Sequence, residues 1–246
     1  WCAGTNIGDG CQALGRQDTT VGRMKELRFL ATPEKGEVSA ILIKPEGATH
    51  LLVLGHGAGA DMRSKAMQSI ADALAEQQIA TFRYNFPFKE NHRGGVDSPK
   101  VATATVRSAV AAARKLEPKL DILAGGHSFG GRMTTTAQSQ EPLDGVKGLV
   151  LFSFPLHAPN RPDDKRAAHL AEIKIPMLFL SGTRDVLNDL ELFRPVIQKL
   201  GSHATLHLLD TADHSYKVLK KTRASDEGVF AEMARVTREW IGSAKA

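Results

Sequence analysis

From residue 50 onward, short apolar runs alternate with longer segments of helical period, and this alternation limits the fold more than any other feature. The runs His50–Gly55 (HLLVLG), 79–85, 120–126, 146–154, 176–182 and 204–210 have strand length and read as strands buried on both faces. Between them lie 64–77, with Ala66, Ile70, Ala73 and Leu74 on one stripe behind Ser64 as N-cap, then the alanine-rich 100–116, and 130–140, 187–200 and 226–241. Such alternation predicts a mostly parallel sheet covered by helices on both faces. Ahead of it, 26–32 and 37–45 are joined by Pro33-Glu34-Lys35-Gly36 with no helix between, which predicts an antiparallel hairpin. The expected fold class is α/β: one domain, a mostly parallel eight-stranded sheet, and an N-terminal antiparallel hairpin. A chain of 246 residues can bury such a core without disulfides or metals.

Residues 1–23 are glycine-rich and aperiodic, and are read as a flexible tail or non-native extension, with the folded domain at 24–246. The two cysteines, Cys2 and Cys11, fall in that segment, so no Cys-type zinc site or disulfide framework is expected beyond it. No apolar run is long enough to cross a membrane, and no basic-then-apolar leader is visible. The expectation is a cytoplasmic protein without membrane contact. The net charge of +5 is mild, and its densest run (Lys217, Lys220, Lys221, Arg223) reads as a solvated surface, so no nucleic-acid partner is expected.

Two glycine-rich turns carry the chemistry. The first, Gly55-His56-Gly57-Ala58-Gly59-Ala60, matches the G-x-G-x-x-A spacing of a dinucleotide fingerprint, and fits equally a loop that supplies an oxyanion donor. Against the fingerprint, two strands precede it, and Asp61, Met62 and Arg63 intervene before the N-cap at Ser64. The next strand also ends in Arg83-Tyr84-Asn85, where an acid for a ribose would be expected. The second turn, Gly126-His127-Ser128-Phe129-Gly130, matches G-x-S-x-G where strand pattern gives way to helix pattern. The glycines there, with Gly131, allow a sharp turn that lifts Ser128 above the sheet and sets the Phe129 N–H at the helix start.

A serine needs a base, and the base an orienting acid. After Ser128, Asp185 follows the strand 176–182 and His214 follows 204–210, both on the edge where open α/β sheets place their sites. Asp210 and Asp213 are read as loop-shaping, His56 as a brace of its own loop, His127 as packing between strands, and His157 and His169 as residues that could line the mouth of the site. No histidine pair has convincing metal-ligand spacing, and no metal or cofactor is expected.

Together GHGAGA, GGHSFGGRM, LSGTRD and DHSYKV resemble the serine α/β-hydrolase superfamily over roughly residues 24–241, in its small form without a large cap, and most of all the dienelactone-hydrolase-like esterases. Dienelactone hydrolases proper use a cysteine where this chain has Ser128. The resemblance therefore implies a serine carboxylesterase acting through an acyl-enzyme on small, short-chain esters. It implies Ser128 as nucleophile, His214 as base and Asp185 as its orienting acid, with oxyanion donors at Phe129 and Ala58, Gly57 being the next choice. Met62, Phe86, Phe88, Phe154, Leu156 and His157 are expected to face the catalytic edge and line a partly apolar acyl site. The expected partner is a small-molecule ester, and the expected state a monomer or small homo-oligomer. A non-catalytic binding subunit of the same fold, a dinucleotide-dependent oxidoreductase and a serine peptidase are the competing readings.

Overall fold

A computed structural model describes residues 12–19 as backbone, and residues 22–243. Cys2 and Cys11 lie outside the described residues, as does most of the expected tail. One sheet of nine strands has the order β1-β2-β3-β5-β4-β6-β7-β8-β9. The strands are β1 (Gln12–Thr19), β2 (Gly22–Thr32), β3 (Gly36–Lys44), β4 (His50–Gly55), β5 (Ile79–Tyr84), β6 (Asp121–His127), β7 (Val146–Phe152), β8 (Met177–Gly182) and β9 (Ala204–Leu209). All eight expected strands form, β2 and β3 as the hairpin. The ninth, β1, pairs antiparallel with β2 inside the segment read as a tail. Its sequence, QALGRQDT, lacks apolar alternation, and an edge strand can be held by its ladder alone. The β3–β5 pair is antiparallel, and β5-β4-β6-β7-β8-β9 run parallel.

The helices are α1 (Lys65–Glu76), the one-turn α2 (Pro87–Glu90), α3 (Pro99–Leu116), α4 (Phe129–Gln140), α5 (Leu190–Leu200) and α6 (Val229–Ser243), with a 3₁₀ segment at Lys165–Glu172. Local chemistry explains their starts: Ser98 Oγ accepts the Val101 N–H with Pro99 at the first helical position, and Asp189 accepts the Glu191 N–H before α5. Met67, Ile70 and Leu74 of α1 meet Met233, Val236 and Trp240 of α6 on one face of the sheet. Val106, Val110, Met133, Ala137 and Phe193 of α3, α4 and α5 cover the other. Each such large apolar side chain contributes roughly 1.5–3 kcal/mol on burial. β4 lies between β5 and β6, which leave it in opposite directions. The crevice at the carboxyl ends of β4 and β6 is therefore the topological switch point, where this architecture binds ligands.

Candidate active site

At that crevice β6, β4 and α4 pack backbone on backbone. A Cβ on Gly130 would lie 2.2 Å from the Gly55 carbonyl oxygen, and one on Gly126 would lie 2.5 Å from the same atom. Only glycine lets the strand end and helix start approach so closely. Between them Ser128 has φ 50° and ψ −110°, a conformation that side chains rarely adopt. It is held there by Ser128 N–H donating to Phe152 O at 2.9 Å, and by the Arg132 N–H donating to Ser128 O at 3.0 Å. The strained turn half-exposes the hydroxyl and buries Phe129 beside it.

Two residues distant in sequence line up behind this hydroxyl. His214 Nε2 lies 2.9 Å from Ser128 Oγ, and His214 Nδ1 lies 2.9 and 2.8 Å from the two Asp185 carboxylate oxygens. The Asp185 side chain is fully buried, and it also accepts the Leu187 N–H at 2.9 Å. Since the carboxylate can only accept, Nδ1 carries the proton and Nε2 faces the hydroxyl as acceptor. Asp213 shapes the His214 loop, as expected, by accepting the N–H groups of Ser215 and Lys217. Asp210 accepts the Ala224 N–H.

His127 does more than pack. Its Nε2–H donates to the carbonyl of His214 at 3.1 Å, and a Cβ on Gly57 would meet its Nδ1 at 2.8 Å. Burial pushes the His127 imidazole down to about 4, the hydrogen bond to the His214 carbonyl opposing, so the ring is neutral at pH 7. His56 is also buried and lowered to about 4 by desolvation, against the pull of the Gly57 carbonyl. It accepts the Phe86 N–H at Nε2 and donates from Nδ1 to Gly57 O at 2.8 Å. The Ala60 N–H donates to the same carbonyl at 3.1 Å. The Gly57 carbonyl is thus fixed toward His56 and Ala60, and the Ala58 N–H, on the far side of that trans peptide, is turned away from them. The far end of the loop is clamped too: the Met62 N–H donates to Asn85 Oδ1, and Met62 O accepts from the buried Arg83. Asn85 donates in turn to Glu90, which also accepts from Arg28 and Ser39. Burial opposes ionisation of Glu90, but these hydrogen bonds outweigh it and hold its carboxyl below the ordinary range.

The expected acyl pocket needs correcting. Met62 is buried with Ile41, Ile43, Ala71 and Ala75 on the α1 face, because the loop turns it inward as an anchor. Phe154 is enclosed with Phe179 and Phe193 beneath α5, and Leu156 joins the same core. His157 accepts the Asp189 N–H and donates to Ala158 O, bracing two loops at 3% exposure. Phe86 and Phe88 are also buried, but their rings lie 5.1 and 5.8 Å from that of Phe129 and so support the floor under the serine turn. Residues with surface at the edge include Ala58, Ser128, His214 and the unforeseen Val186 (76% exposed). Loop residues have no period, so sequence spacing does not reveal which way they turn.

The glycines after β4 do not open a helix: the Gly57–Ala60 turn closes on itself, and α1 starts only at Lys65. That is not the arrangement that cradles a pyrophosphate. Among the described residues no three His, Cys, Asp or Glu side chains gather to hold a metal ion, and no helix is long and apolar enough to cross a membrane. What the arrangement can do is draw a proton from a hydroxyl toward a ring whose charge a buried carboxylate would stabilise.

Residues 48–242 match the family model described as an alpha/beta hydrolase domain. Among solved structures, the chain is similar to a dienelactone hydrolase from Anabaena variabilis (18% identity over 89% of this chain and 98% of that one, TM-score 0.68). A cold-adapted esterase from an Arctic intertidal metagenomic library shares 19% identity over 93% and 97%, with a TM-score of 0.64. A serine hydrolase without a lid from Xanthomonas campestris shares 19% over 96% and 98%, with a TM-score of 0.61. At these identities the likeness is one of fold.

Proposed function

The chain belongs to the alpha/beta hydrolase domain family, and from that premise we propose that it is a serine carboxylesterase that cleaves small, short-chain carboxylic esters through an acyl-enzyme. The observation that carries this reading is the unbroken hydrogen-bond path from Ser128 Oγ through the His214 ring to the buried Asp185 carboxylate. Ser128 Oγ attacks the ester carbonyl carbon while His214 Nε2 takes its proton. The Ser128–carbon bond forms and the carbonyl π pair moves onto oxygen. Collapse expels the alcohol, which takes the proton back from His214, and water then repeats the two steps on the acyl-enzyme. Asp185 fixes the tautomer and stabilises the transient imidazolium. The oxyanion is received by the N–H groups of Phe129 and Ala58, the second favoured over Gly57 by the orientation of the 57–58 peptide.

Release of nitrophenol from p-nitrophenyl acetate and butyrate tests the reaction, and a fluorophosphonate probe tests the nucleophile. Wild type should turn over the esters and take the label, and Ser128→Ala should do neither. A folded wild-type protein that takes no label overturns the reading in favour of a non-catalytic binding subunit.

A further inference from the structure

Two residues past His214, Tyr216 has φ 66°, a left-handed conformation that is an outlier for a bulky side chain. The turn there closes through main chain alone: the Tyr216 N–H donates to Asp213 O and the Asp213 N–H to Lys217 O, both at 3.0 Å. Nothing in that closure calls for tyrosine, since glycine or asparagine takes such a φ at less cost. What the strained backbone secures is the position of a ring, buried at 4% exposure in the core on the α6 face of the sheet. The Tyr216 ring lies 5.4 Å from the His127 ring, centre to centre, and the His127 ring lies 5.4 Å from that of His214. Phe230 of α6 packs on Tyr216 as well, at 5.6 Å. These are the separations at which aromatic rings pack. Neither the Tyr216 hydroxyl nor that of Ser153, both buried, makes a well-formed hydrogen bond among the described residues, so the ring is the part of Tyr216 that makes its contacts.

His127 therefore has three neighbours at once: the Gly57 backbone at Nδ1, the His214 carbonyl at Nε2, and the Tyr216 ring. A single hydrogen bond to a carbonyl tolerates a broad range of angles, so the bond from Nε2 leaves the His214 main chain free to tilt about it. A packed ring removes that freedom. We propose that Tyr216 is a positioning residue for the base, which by packing on His127 sets the approach of His214 Nε2 to Ser128 Oγ. It touches neither substrate nor the reacting atoms. This rests on the esterase reading for what is being positioned.

Tyr216→Leu, made in the full-length protein, keeps an apolar side chain and removes the ring. For p-nitrophenyl butyrate, kcat should fall about tenfold to a hundredfold while KM stays within about twofold, because proton transfer depends on alignment and substrate binding does not pass through Tyr216. The rate of fluorophosphonate labelling should fall with kcat. The most downfield proton resonance of wild type, from the His214 Nδ1–H held by Asp185, should broaden or disappear. Tyr216→Phe should recover most of the loss on all three readings. Phe230→Leu, which removes the other ring packed on Tyr216 but leaves His127 its neighbour, should lower stability and keep kcat. If the leucine variant does not fold, Tyr216→Met carries the same readings. Unchanged kcat in a folded leucine or methionine variant, a fall of the same size in Phe230→Leu, or no recovery by phenylalanine overturns the positioning role. A folded wild type that neither turns over the ester nor takes the label overturns the esterase and this role together, whereas an active wild type matched by Tyr216→Leu overturns this role alone.

Discussion

The two halves of the catalytic edge differ in what holds the parts nearest the serine. The Ser128 half is backbone against backbone, with Gly55, Gly126 and Gly130 in a contact that has no room for a methyl group. The half that carries Asp185 and His214 consists of loops after β8 and β9, which share one close approach, Gly182 on Ala212, and some main-chain bonds, but whose tips are held by side chains: Asp185 on Leu187, Asp213 on Ser215 and Lys217, His127 on His214. In the first half a change of shape is a change of fold. In the second, a change of chemistry can leave the fold standing where the new tip keeps the same acceptor, as an amide oxygen at 185 would for the Leu187 N–H.

The contrast can be broken by substitution. In the loop half, Asp185→Asn should reduce kcat for a nitrophenyl ester by about 10⁴-fold, because the amide favours the wrong tautomer of His214. Its thermal midpoint should stay near that of wild type, and a collapse of that midpoint would show that the loop half is as rigidly packed as the elbow. In the backbone half, Gly130→Ala should cost about 4 kcal/mol or more, read by chemical denaturation, since a close-packed main chain has nowhere to move. A soluble, normally stable Gly130→Ala protein would mean that the elbow is looser than its geometry.

Acid sharpens the comparison, because one neutral buried ring, His56 or His127, braces each half. Above pH 6.5 both are neutral folded or unfolded. From there down to about pH 4 the unfolded chain takes up protons that the folded chain refuses, and stability falls by roughly 3 kcal/mol per ring. Denaturation midpoints measured at pH 7, 5.5 and 4.5 should show the fall, and His127→Asn should remove about half of it. The smallest effect concerns strain. Ser128→Gly should be about 1 kcal/mol more stable than Ser128→Ala, since glycine accepts φ 50° and ψ −110° without the penalty that alanine retains. Equal stabilities would place no strain in the turn.

The sequence made legible whatever follows from the ends of strands. Ser128, Asp185 and His214 each follow a strand of the parallel set, so their order along the chain and their shared edge were readable before any coordinates. The glycines of the elbow were readable because a sharp strand-to-helix turn demands them. β1 was not, because a polar edge strand pairs through its main chain and leaves no side-chain pattern. Nor was the inward turn of Met62 and Phe154, since an apolar residue in a loop can face the core or a ligand with the same composition. The role of His127 was hidden for a related reason: its partner is a carbonyl 87 positions away, and carbonyls are identical in every residue.

That bond has a further consequence. His127 is covalently joined to the nucleophile and holds the main chain of the base, while the base's ring reaches back to Ser128 Oγ. The three links close a small ring, so the separation of proton donor and acceptor is set locally and not by the distance across the sheet from β6 to β9. Small fluctuations at the outer strands should therefore change that separation little. On slow heating, turnover should therefore persist until the domain itself melts, and the two losses should coincide at one temperature.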